Sequence, residues 1–90
     1  MALMTKKQAE QIVACVKEYT EAEASVTEHT PPGDGFHLPC VAILTDSPEA
    51  VFWAAGKCGF WMDEMPTRKD PLQRDWPNNW TRRGASFYLY

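Results

Sequence analysis

Four residues have the types that hold metals or attack carbonyls: His29, His37, Cys40 and Cys58. Four Cys or His ligands suit a structural zinc site. The spacing does not, because the chain has no Cys-x2-Cys knuckle and Pro39 interrupts the one close pair, His37 and Cys40. Two small buried cysteines and two loop histidines explain them better. His37 and Cys40 are also the only local Cys/His pair for nucleophilic catalysis. Three apart in extended chain, they point to opposite faces, which is poor geometry for a thiolate and its base. No serine stands in a Gly-x-Ser-x-Gly context,. Asp63 and Glu64 are adjacent carboxylates, not a spaced acid/base pair, and the glycines at 33, 35, 56, 59 and 84 fit no phosphate or dinucleotide loop,. The expectation is no enzyme, no cofactor, no metal and no catalytic residue.

Binding chemistry gathers elsewhere. RKDPLQRDWPNNWTRR, residues 68 to 83, holds five of the nine cationic side chains and two of the four tryptophans. Cations beside stacking rings suit single-stranded nucleic acid. Asp70 and Asp75 interrupt the charge, however, and Pro77-Asn78-Asn79 reads as a rigid turn,. Arginine beside a fixed indole is equally the makeup of a protein interface. Arg74, Trp76, Trp80, Arg82, Arg83 and Trp61 are therefore the candidate partner-binding residues. The competing structural reading makes Trp76 or Trp80 a core anchor for the loop.

Whole-chain properties bound these readings. Ninety residues make one small globular domain, 1–90, with most large side chains committed to its core,. Net charge is −3, but unevenly spread. Residues 1–65 carry four lysines against ten acids, a net of −6, and residues 66–90 carry five cations against two acids, a net of +3. The overall acidity argues against wholesale binding to nucleic acid or anionic membranes. Three cysteines lack a framework spacing, and Met-Ala-Leu-Met followed by Thr-Lys-Lys lacks signal-peptide form,. No apolar run approaches the roughly 20 residues of a membrane span. A soluble cytoplasmic protein is expected, with no membrane partner.

The elements follow from periodicity. Thr5 and Gln8 form a capping box, and Ala9, Ile12, Val13, Val16 and Tyr19 make one apolar stripe of a helix over about 6–23,. Residues 25–36 read as a loop, given Pro31, Pro32, Gly33 and Gly35,. Residues 40–45 form a buried strand. Residues 48–58 allow two readings. Ser47, Pro48 and Gly59 punctuate a helix, whereas Gly56-Lys57 between apolar runs suits a type II′ hairpin,. The hairpin is preferred, giving a meander of 40–45, 50–55 and 58–63. An excursion follows, with one helical turn after Asp70. GASFYLY ends as a strand, Ala85, Phe87 and Leu89 on one face and Ser86, Tyr88 and Tyr90 on the other,. The fold class is α+β, an N-terminal amphipathic helix on a small, mainly antiparallel sheet of three to four strands.

Composition and exclusion together predict a non-catalytic protein-binding module. Its expected partner is a larger protein or complex, with a homodimer also open. An inhibitor or accessory factor of phage or mobile-element type, blocking a host nuclease or a defence complex such as CRISPR-Cas, is the narrower expectation. It rests on association alone. The alternative is a small nucleic-acid-binding protein using residues 68–83.

Overall fold

A computed structural model describes residues 4–31, 38–60 and 80–90 with their side chains, and the backbone of 67–69 and 75–77. The capping box is present: the Gln8 amide donates to Thr5 Oγ1 at 3.1 Å and the Thr5 amide to Gln8 Oε1 at 2.9 Å. It opens α1, Lys6–Tyr19, whose buried face is Ala9, Ile12, Val13, Cys15 and Val16. Tyr19, the last member of the expected stripe, stands in solvent instead. The helix also ends four residues before the expected 23. Thr20 turns extended, and its hydroxyl donates to the Val16 carbonyl while accepting from the Ala22 amide. A local hydroxyl thus takes over the hydrogen bonding that further helical turns would have used.

The chain continues directly into β1, Ala24–His29, where a loop is expected from sequence. Its period-2 pattern is weak because only Ala24 and Val26 are apolar on one face. The strand is held by pairing along its whole length with β2, Cys40–Thr45, from Ala24 opposite Thr45 to His29 opposite Cys40. Beyond β2 the helix reading proves correct and the preferred hairpin wrong. Residues Pro48–Lys57 form α2. Ser47 Oγ accepts the Ala50 amide at 3.3 Å and Pro48 sits in the first turn, where its missing N–H costs nothing,. Gly59, with φ of 78°, ends the helix. The Gly59 amide donates to the Gly56 carbonyl and the Phe60 amide to the Ala55 carbonyl, the paired bonds of a Schellman stop,. Gly56 inside the helix costs about 1 kcal/mol relative to alanine. Burial of Val51, Ala54 and Ala55 outweighs it.

A helix joining two parallel strands needs a long crossover. No such link is required, because every strand pair described is antiparallel. Residues 50–55 of the expected meander are helical, residues 61–63 of its third strand lie outside the described residues, and the sheet is completed by distant partners, β5, Trp80–Arg83, and β6, Ser86–Leu89. The sheet order is β1-β2-β6-β5. The excursion is more regular than a loop: β3, Thr67–Lys69, pairs with β4, Asp75–Pro77, as a separate two-stranded sheet. The helical turn expected after Asp70 falls outside the described residues.

The fold is α+β, an N-terminal helix with a four-stranded antiparallel sheet and one further helix. Ala24, Ile43 and Leu89 meet Ile12, Val13 and Val16 of α1 and Val51, Ala54 and Ala55 of α2 in one hydrophobic cluster. Pairing of Ile43 with Leu89, and of Leu44 with Tyr88, sets the faces of β6 as its alternation predicts. Leu89 faces the helices, and Tyr88 faces away with His29.

Candidate interaction surface

The strands and helices distribute the six candidate binding residues very unevenly. Trp61 and Arg74 lie outside the described residues. Trp76 is placed only by its backbone, in β4 opposite Arg68. Trp80 opens β5 opposite Leu89, half-buried, and packs against the hydrophobic cluster with its ring tilted 5.3 Å from Phe87. Its indole face is therefore occupied by protein. Arg82 and Arg83 are exposed at the far end of β5. Arg82 lies 5.7 Å from the Phe87 ring and donates from Nε to the Gly84 carbonyl at 3.0 Å, so part of its donor fork is used locally. Alternation sends Arg83 to the opposite face, toward His29.

A second group, absent from the sequence-based candidates, forms where the two helices meet. Tyr19 is 56% exposed and Trp53 is 48% exposed. Their rings meet edge to face with centroids 6.2 Å apart. Lys57, one turn after Trp53 on α2, holds its ammonium 4.7 Å from the Tyr19 ring and 5.5 Å from the Trp53 ring. Each contact is local physics: an aromatic pair worth about 1 kcal/mol beyond burial, and a cation over two electron-rich faces. Together they bring three large side chains into contact without hiding them. On a helix Trp53 and Lys57, four residues apart, are neighbours on one face, whereas the hairpin reading puts Lys57 in the turn. The Lys57 spacing from Trp53 is the signal that a hairpin reading discards.

Glu10, Glu18, Glu21, Glu23 and Glu28 are all exposed.

The sheet face away from the helices carries His29. Its ring is 7% exposed, stacked on Tyr88 at 4.5 Å and 12°, and tilted toward Tyr90 at 5.6 Å. Nε2 is buried without a hydrogen-bond partner among the described residues. Burial, and secondarily the Arg83 guanidinium, push its pKa below the ordinary 6.5. The unfolded chain therefore binds this proton more readily than the fold does. The stability due to neutral His29 is complete above about pH 7 and declines as pH falls through 6.5 toward the lower folded value,. Unfolding followed in urea from about pH 8 to about pH 5 should show this decline, and His29→Phe, which keeps the ring stack, should flatten it. Equal slopes in the two proteins would refute the assignment.

Nucleophile geometry is also tested at Cys40. Its thiol donates to the His29 main-chain carbonyl at 3.4 Å, not to an imidazole nitrogen, and burial pushes its pKa up. That environment favours the thiol over the thiolate. His37, Asp63 and Glu64 lie outside the described residues. Among those described, no three His, Cys, Asp or Glu side chains gather as metal ligands, and no helix is long and apolar enough to cross a membrane. No protein-family model, no curated protein and no solved structure matches this chain.

Proposed function

We propose that the chain is a non-catalytic protein-binding module whose contact surface centres on Tyr19, Trp53 and Lys57. The observation that carries this reading is the exposure of two large aromatic rings, in contact with each other and with a lysine, on a ninety-residue domain. Trp and Tyr dominate binding energy at interfaces because they offer large area at little entropic cost. The exposed carboxylates Glu10, Glu18, Glu21, Glu23 and Glu28 would add electrostatic steering toward a cationic partner surface,. Arg82 and Arg83 would extend the interface only if the partner reaches around the sheet edge.

The nucleic-acid alternative needs rings free to stack on bases beside those arginines. Packing of Trp80 against the core speaks against it, while the exposed pair of arginines keeps it testable. The narrower role, an inhibitor or accessory factor carried by phages or mobile elements that occupies a host nuclease or defence complex in the cytoplasm, rests on association. Small proteins without chemistry of their own commonly serve there.

Affinity capture from bacterial lysate, with and without nuclease treatment, separates the readings. A stoichiometric protein retained through nuclease treatment is expected. Trp53→Ala should weaken its binding by about 30-fold, or about 2 kcal/mol, beyond the roughly 1 kcal/mol of fold stability lost with the ring pair. Recovery of nucleic acid alone, abolished by Arg82→Glu with Arg83→Glu, would replace the protein-binding reading with the alternative.

A further inference from the structure

Below the aromatic group, each of the two helices carries a thiol at their contact. Cys15 lies on the buried face of α1 and Cys58 caps the end of α2, half-buried against the same hydrophobic cluster. Cys58 Sγ donates to the Gln11 carbonyl at 3.9 Å. In α1 that carbonyl is also the acceptor for the Cys15 amide, four residues on. One carbonyl thus serves both cysteines from opposite sides of the helix contact. That shared carbonyl places Cys58 Sγ against the turn of α1 that carries Cys15. Both are reduced in this structure.

From this juxtaposition we propose that Cys15 and Cys58 form a redox-responsive dithiol, which an oxidising disulfide converts into an intramolecular cross-link stapling α1 to the end of α2. The reaction proceeds by two exchanges. The Cys58 thiol, being the more accessible, loses its proton and attacks one sulfur of glutathione disulfide, expelling a glutathione thiolate. Cys15 then attacks the Cys58 sulfur of the mixed disulfide and expels the second. Two protein thiols and one glutathione disulfide become one protein disulfide and two glutathione thiols. Burial, with Cys15 beside it, pushes the Cys58 thiol pKa up. The first exchange should therefore accelerate with pH.

The staple would lie one turn below Tyr19 and next to Lys57, so oxidation would hold the aromatic group to one helix arrangement. The cross-link itself does not rest on the protein-binding reading.

The test uses the intact chain, folded, with glutathione disulfide as oxidant and trypsin mapping under non-reducing conditions. A cross-linked pair of peptides, residues 8–17 joined to 58–68, is expected. The melting temperature should rise by on the order of 10 °C, since the bridge closes a long loop of the unfolded chain. Dithiothreitol should reverse both. Cys40→Ser should leave both effects intact, and Cys58→Ser, at a half-buried helix end, should abolish them without unfolding the protein. Bridges that involve Cys40, dimers between chains, or stable mixed disulfides at Cys58 without closure would each overturn the proposal. A 15–58 bridge without a rise in melting temperature would overturn its action as a staple.

Discussion

Ile43→Ala should lower the unfolding free energy by about 4 kcal/mol and the melting temperature by on the order of 20 °C. Ile43 is fully buried in β2, an interior strand of the sheet, opposite Val26 on one side and Leu89 on the other. Truncation there removes three carbons' worth of apolar contact and leaves a hole between two neighbouring strands and the helices. Those strands are hydrogen-bonded into register and cannot close on it, which places the cost toward the upper part of the usual range. Small domains of this size have little reserve, so the variant should approach the unfolding threshold at body temperature. Ile43→Val, which removes one methylene, should cost about 1 kcal/mol. Urea unfolding of both variants checks the series. A loss below about 1 kcal/mol for the alanine variant would mean that the core is not built around β2.

Thr45→Val should cost about 2 kcal/mol although the two side chains have the same shape. The Thr45 hydroxyl donates to the Glu23 carbonyl at 2.7 Å and accepts the Ser47 amide at 3.0 Å. It is 2% exposed, so water cannot replace either bond without opening the corner. The Asp46 carboxylate supports the same corner by accepting the Glu23 amide at 3.0 Å. One hydroxyl thereby ties the approach to β1, the end of β2 and the cap of α2 together. Two measurements are expected to move: the urea midpoint, and hydrogen exchange at the Ser47 amide and the first turn of α2, which should quicken. An unchanged midpoint would show that the corner is held by the Asp46 bond and backbone pairing alone.

The contrast between these positions explains what could be read from the sequence. Thr5, Gln8 and the apolar spacing of α1 announce a helix because each signal is local and they agree. The β-branched run at 40–45 and the alternation of β6 are legible for the same reason. Strand β1 is not, because Ser25, Thr27 and Glu28 are indifferent to structure until β2 pairs with them. α2 carries correct start and stop residues, but its exposed side shows Trp53 where a polar residue is the usual helical signature,. The feature that made the helix hard to recognise is the same one that nominates the interaction surface. Trp80 illustrates the converse. Its neighbours in sequence suggest a binding loop, while its contacts with Phe87 and the core follow from its place in β5, a strand that only pairing with β6 identifies.

The strand order sets a timetable for synthesis. β2 and β6 are adjacent in space, yet 40 residues separate the end of one from the start of the other. During translation, β1 and β2 emerge together and can pair at once. The other edge of β2 must then wait roughly 2 to 8 s for β6 at common elongation rates. Over that interval the nascent chain presents CVAILT, an uncharged run containing Ile43, with open backbone donors and acceptors,. A ribosome pausing between these strands would prolong the state in which a neighbouring nascent chain can take the place reserved for β6.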